Sequence, residues 1–141
     1  MKGFATSITI RARAETAWAL LTDAVGYPQW NSTVEKIGGR IAAGEKVTVY
    51  AKATPGRAFP LRVTEFAPAR RMVWTGGMPL GLFTGTRSYT VTPISEVEVE
   101  FAMREEFSGL LAPLITRSIP DLQPAFDTFA ADLKRRTERA A

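Results

Sequence analysis

The sequence predicts an α+β fold: a seven-stranded curved antiparallel sheet wrapped around a long C-terminal helix, with two short helices between strands 1 and 2. Three observations point there. Between Phe107 and Arg139, apolar residues fall at Leu111, Ile115, Ile119, Leu122, Phe126, Phe129 and Leu133, in steps of three and four that trace one helix face. Most of the preceding chain reads as short alternating segments punctuated by Gly and Pro, the pattern of strands and turns. The later segments follow one another through loops too short for a crossover, which makes the sheet antiparallel. A helix of roughly 30 residues is about 45 Å long and needs a broad surface to lie on. A sheet that curls without closing supplies one and leaves a hollow under the helix.

Phe4 to Arg13 alternates, with Thr6, Ile8 and Ile10 on one face and Ala5, Ser7, Thr9 and Arg11 on the other, a half-buried first strand. Helical spacing begins at Ala14 or Glu15, with Ala17, Trp18, Leu20, Leu21 and Val25 on the apolar side and Asp23 as terminator. Tyr27 to Asn31 follows Gly26 and holds Pro28, so it is a turn or a short second helix. Its Trp30, like Trp18, is expected against the sheet or the long helix, because so large a ring gains most when buried.

Further strands are expected at Thr33–Ile41, Glu45–Thr54, Ala58–Ala67 and Met72–Thr75, separated by turns at Gly38-Gly39 or Gly44, Pro55-Gly56 and Pro68–Arg71. In the fourth, Phe59, Leu61 and Val63 share one face and Arg62, Thr64 and Phe66 the other. A glycine-rich apolar loop, Gly76 to Gly85, leads to a last hairpin of Thr84–Thr92 and Val97–Phe107. A tight connection at Pro93–Glu96 places Tyr89 opposite Phe101, Val91 opposite Val99, and Arg87 near Met103, diagonal to Glu105. In the long helix Pro113 suits the first turn. Pro120 removes a mid-helix bond and predicts a kink or break at Arg117–Asp121, with Asp121 capping the second half.

The 141 residues, 45% hydrophobic and 23% charged, fit one soluble domain spanning 1–141. No apolar run is long enough to span a membrane, and no signal-peptide core follows Met1. The absence of cysteine removes disulfide and thiolate chemistry, and the default compartment is the cytoplasm. The absence of histidine removes the commonest general base and metal ligand, and no carboxylate cluster stands in for it, so neither metal nor cofactor is expected. The net charge of +4 gathers largely at Lys134–Arg139, with no basic cluster interleaved with aromatics, which argues against nucleic-acid binding.

Several patterns together resemble a known family. They are Ile8-x-Ile10-x-Ala12 running into Ala17-Trp18-x-Leu20-Leu21-Thr22-Asp23; Tyr27-Pro28-x-Trp30-Asn31; Val63-Thr64-Glu65-Phe66-x-Pro68 with Met72-Val73-Trp74; Gly85-Thr86-Arg87-x-Tyr89; and Glu105–Gly109 before the last helix. Their order and spacing, over essentially the whole chain, are similar to the START-like, Bet v 1-type superfamily, in particular its polyketide cyclase/dehydrase-like (SRPBCC) branch. The resemblance implies a helix-grip fold with an apolar cavity for lipids, polyketides or aromatic small molecules. It implies no universal catalytic residue, because its members include carriers, sensors, cyclases and co-chaperone domains.

The expected ligand-lining residues are Trp30, Phe59, Leu61, Val63, Met72, Trp74, Tyr89, Phe101 and Met103 from the sheet side, with Leu122 and Phe126 from the helix. Arg87 and Glu105 are the candidate polar pair. They either orient a polar group of the ligand or form a solvated ion pair at the sheet rim, and the rim pair is the simpler reading. A small hydrophobic or aromatic ligand is therefore the expected partner. An enzyme would need its acid and base from Glu105, Asp23, Arg87 or a tyrosine, with no second carboxylate evident beside Glu105. A protein-interaction domain would use the Met78–Phe83 loop, which otherwise closes the cavity or makes a homodimer contact.

Overall fold

Seven strands form one antiparallel sheet in the computed structural model, which describes residues 3–140. They are β1 (Gly3–Ile10), β2 (Val34–Gly39), β3 (Lys46–Ala51), β4 (Phe59–Ala67), β5 (Arg71–Met78), β6 (Phe83–Ser95) and β7 (Glu98–Ser108). The spatial order is β1-β7-β6-β5-β4-β3-β2. Strands β2 to β7 are a meander of hairpins, and β1 returns to pair with the last of them. Two short helices, α1 (Ala14–Leu21) and α2 (Tyr27–Trp30), carry the chain from one edge of the sheet to the other. Trp18 and Trp30 are buried as expected, against Phe66 of the sheet and Phe129 of the last helix respectively. Val25, assigned to the α1 apolar face, is instead exposed, because α1 has ended four residues earlier.

The long helix is two pieces. Its second half is α4 (Gln123–Ala140), 18 residues; its first is only α3 (Ala112–Ile115) followed by a single 3₁₀ turn. The break falls where Pro120 predicts it: Ile119 is driven to extended geometry, φ −82° and ψ 126°. The Asp121 carboxylate accepts a hydrogen bond from the Gln123 amide at 3.1 Å, and Pro124 sits in the first turn of α4. Helix α4 turns Phe126, Phe129, Ala130 and Leu133 into the core.

Polar side chains of α4 also cover the free edge of the sheet, where β1 would expose unpaired backbone groups. Gln123 Nε2 donates to the Ala5 carbonyl (2.7 Å), and Lys134 Nζ donates to that of Thr9 (2.8 Å). The Arg11 amide donates to Glu138 (2.9 Å). At the other side of the helix, buried Asp132 accepts from both the amide and the hydroxyl of Ser32, at 2.8 and 2.7 Å. These bonds fix how α4 lies across the concave face.

Two irregularities change which way side chains point. A bulge between Val63 and Glu65 in β4 breaks the alternation, so Phe66 pairs with Met72 and packs inward on Trp18, not outward as strict alternation predicts. The β6–β7 hairpin turns two residues further out than Pro93–Glu96 suggests, with a bulge between Pro93 and Ser95. Tyr89 therefore faces Met103, Val91 faces Phe101, and Arg87 lies directly opposite Glu105. A shift of two residues preserves every inward or outward assignment, which a shift of one would have reversed.

The Gly76–Gly85 stretch is not a loose loop. Strands β5 and β6 continue through it, with Gly76 opposite Gly85, Gly77 opposite Thr84 and Met78 opposite Phe83. Gly77 has φ +136°, and a side chain there would collide with the Phe83 carbonyl, so glycine is what allows the strands to remain paired to the tip.

Candidate functional site

Register brings the inward-facing candidates into two rows across the sheet. One row runs Val63, Trp74, Arg87, Glu105 and Phe4 through β4, β5, β6, β7 and β1. The next runs Phe66, Met72, Tyr89, Met103 and Thr6. The third inward position contributes Phe101, opposite Val91. Helix α4 lies over these rows. Phe129 stacks on Phe101 at 6.1 Å between centroids and also touches Tyr27, Trp30 and Tyr89.

Arg87 and Glu105 lie on the two strands nearest β1, inside the sheet and not at its rim. Nε and Nη2 of Arg87 both reach Glu105 Oε1 at 2.5 Å. Their side chains are 21% and 13% exposed, which replaces the expected solvated rim pair with a largely buried one. Phe126 closes it from above, with the guanidinium carbon 5.0 Å from its ring centre. Burial would lower the Arg87 pKa, but the Glu105 charge and the Tyr89 hydroxyl outweigh it and hold the cation firmly protonated. Burial pushes the Tyr89 phenol above its ordinary value despite Arg87, so it remains a hydrogen-bond donor at neutral pH. Both contacts of Arg87 fall on one carboxylate oxygen, Glu105 Oε1.

The neighbouring indoles add an unmet demand. Trp74 and Trp30 are 1% and 8% exposed, yet neither Nε1–H has an acceptor among the described residues. A buried donor left unpaired costs about 1–3 kcal/mol. Trp74 is the cross-strand neighbour of Arg87 and packs on Tyr89 with 4.8 Å between ring centres, so one of these donors belongs to a residue that flanks Arg87 in the sheet. Asn31 is similar: its Oδ1 accepts from the amide and hydroxyl of Thr33, and Nδ2 is left without a partner. This polar demand is for acceptors.

The other candidates divide. Met72, Val63, Met103 and Phe101 are buried within the rows, and Leu61 and Leu122 are half-buried at their margins. Phe59 is not with them. It sits at the start of β4, exposed, with the Arg57 guanidinium over its ring. Asp23 accepts from the Gly26 amide (3.3 Å) and closes α1, while Tyr27 is fully buried and donates to the Leu21 carbonyl at 2.6 Å. Phe129 and Phe4 pack with these residues but are not among the expected lining residues. Phe129 lies one turn beyond Phe126 on the same apolar stripe, which is the signal that finds it.

A family model described as "Polyketide cyclase / dehydrase and lipid transport" matches residues 1–138. The chain belongs to this polyketide cyclase/dehydrase family. Similar solved structures agree on the fold. A hypothetical protein of Helicobacter pylori superposes with a TM-score of 0.78 at 13% identity, over 96% of this chain and 88% of its own. The Zhui aromatase/cyclase of a Streptomyces species gives 0.75 at 13% identity, over 98% and 94%. A START superfamily protein of Mycobacterium smegmatis gives 0.72 at 15%, over 99% of each. At such identities the likeness is one of fold. No curated protein matches the sequence. The polyketide cyclase/dehydrase family member described here thus has the START-like helix-grip architecture, and among its described helices none is long and apolar enough to cross a membrane.

Proposed function

We propose that the protein binds a small apolar or aromatic molecule that carries a hydrogen-bond acceptor, held between the inner face of the sheet and α4. The observation that carries this reading is the unpaired Trp74 indole beside the Arg87–Glu105 pair. An acceptor on the ligand satisfies that donor and meets the Arg87 cation, while Met72, Tyr89, Phe101 and Phe126 surround its apolar body. Family membership supports the ligand class, and an aromatase/cyclase stands among the proteins of similar fold.

A cyclase or dehydratase is the second reading. It is favoured by Glu105, whose Arg87 contacts both fall on Oε1, and by a protonated Tyr89 in the next row. Glu105 would take a proton from the substrate and Tyr89 would donate to a carbonyl. Arg87 works against this, because its Nε and Nη2 already occupy the Glu105 carboxylate. Binding therefore stands first.

The test is native mass spectrometry of the purified protein with extraction of any bound molecule, followed by titration with 1-anilinonaphthalene-8-sulfonate, an apolar ring system bearing an acceptor. The expected result is a bound species or saturable dye uptake that weakens about tenfold in Trp74→Phe. Wild type that neither co-purifies a molecule nor takes up dye contradicts the proposal. Glu105→Gln that binds but loses turnover of an extracted substrate would establish the second reading.

A further inference from the structure

One end of the molecule is built differently from the other. The β5–β6 hairpin tip, the segment after β7 and the β3–β4 loop lie at that end, since β6 begins and β7 ends there, as β4 begins and β5 ends. Backbone bonds from Leu110 to the Gly81 carbonyl (3.1 Å) and from Leu111 to that of Leu82 (2.8 Å) join the first two. Leu80 is 94% and Leu110 80% exposed, and Met78 and Leu114 are exposed beside them in the chain. Large apolar side chains so presented to water are unfavourable unless something covers them.

Leu80 is also conformationally unfavourable. Leu80 and Gly81 have φ +61° and +70°, and the Leu82 amide bonds back to Pro79, which defines a type I′ turn. The first inner position of such a turn favours Asn, Asp or Gly, not leucine. Nothing in the fold covers the side chain that takes this position.

Charge identifies the partner. Residues 52–60, 76–86 and 109–120 contain no Asp or Glu, and carry Lys52, Arg57 and Arg117. Of the nearest carboxylates in the chain, Glu106 pairs with Arg104 at 2.7 Å and Asp121 accepts from the Gln123 amide, while Glu35 is exposed near the start of β2. The turn at the opposite end of β6 also exposes apolar residues, Ile94 and Val97, but Glu96 and Glu98 flank them. Only the first end is suited to an anionic, apolar-cored surface.

We propose that this end docks on an anionic lipid bilayer, with Leu80, Leu110, Leu114 and Met78 entering the headgroup region and Lys52, Arg57 and Arg117 facing lipid phosphates. It is interfacial docking, not spanning. A second copy of the chain fits less well, since a standard interface takes about 20–30 residues a side. The proposal stands apart from whatever the inner face binds.

The test is co-sedimentation of the full chain with phosphatidylcholine vesicles, with and without an equal part of phosphatidylglycerol. Wild type should sediment with the anionic vesicles and be released by salt. Leu80→Asn, which suits the turn better than leucine, and Leu110→Asn should each reduce binding, and together by about tenfold or more. Ile94→Asn, at the opposite end, should leave it unchanged. The proposal is overturned if wild type does not sediment with anionic vesicles at low salt, or if the double variant sediments as well as wild type. It is equally overturned if wild type is a dimer that Leu80→Asn dissociates while vesicles fail to bind, which would make the end a contact between copies.

Discussion

Removing one member of the Arg87–Glu105 pair should cost far more than removing both. Glu105→Leu strands a guanidinium whose Nε and Nη2 both lose their acceptor, in a place where the side chain is only 21% exposed. Breaking a fully buried pair costs roughly 3–5 kcal/mol, whereas an exposed pair contributes about 0–1 kcal/mol. Partial exposure places each single loss here at roughly 2–3 kcal/mol, because some water reaches the stranded group. Arg87→Met with Glu105→Leu removes both charges and fills much of the same volume, so the double variant should lie within about 1 kcal/mol of wild type. The coupling energy is then roughly 3 kcal/mol or more, since the single losses do not add. Urea unfolding of the four proteins, followed by tryptophan fluorescence with equal slopes, measures it. Single losses below about 0.5 kcal/mol that simply add would refute the reasoning and return the pair to a solvated one. The double variant should also fail to bind the dye, separating what the pair does for binding from what it does for folding.

Two further outcomes follow from the packing of α4. Phe129→Ala removes the ring that touches Tyr27, Trp30, Tyr89 and Phe101, and should lower unfolding free energy by about 3–5 kcal/mol in the same urea assay. Glu138 is held below its ordinary pKa by the hydrogen bond from Lys134 and by that from the Arg11 amide, against a small effect of burial. A carboxylate lowered in the folded state stabilises above its unfolded pKa of about 4.3, and that stability is lost as pH falls through the folded value. Urea midpoints should therefore fall on acidification below about pH 4.5, and less steeply in Glu138→Gln. An unchanged acid slope in that variant would show the contact to be worth nothing.

Much of the fold was legible because it follows from local pattern. Alternation from Phe4 to Ile10 and the stripe through Phe126, Phe129 and Leu133 are properties of one strand and one helix, and burial follows from them. The break before α4 was legible too, since Pro120 acts on its own neighbours. What escaped depended on a second strand. Phe66 points inward only because a bulge opposite Val73 adds one residue, and nothing in Val63–Ala67 announces it. The Arg87–Glu105 contact needed the hairpin to turn at Glu96-Val97, three residues beyond the proline. Phe59 read as a lining residue by alternation, but it is the first residue of its strand and is exposed. The unpaired indole of Trp74 is a property of the assembled core alone.

The central claim is that an acceptor on a bound molecule meets the Trp74 indole beside Arg87. The most direct measurement is the indole N–H spectrum of ¹⁵N-labelled protein during titration with 1-anilinonaphthalene-8-sulfonate, with the three tryptophans assigned through Trp18→Phe, Trp30→Phe and Trp74→Phe. The Trp74 resonance should move downfield as it gains a hydrogen bond, together with the Arg87 Nε–H, while that of Trp18 stays in place. Saturable dye binding with Trp74 unmoved would contradict the account and locate the bound molecule elsewhere.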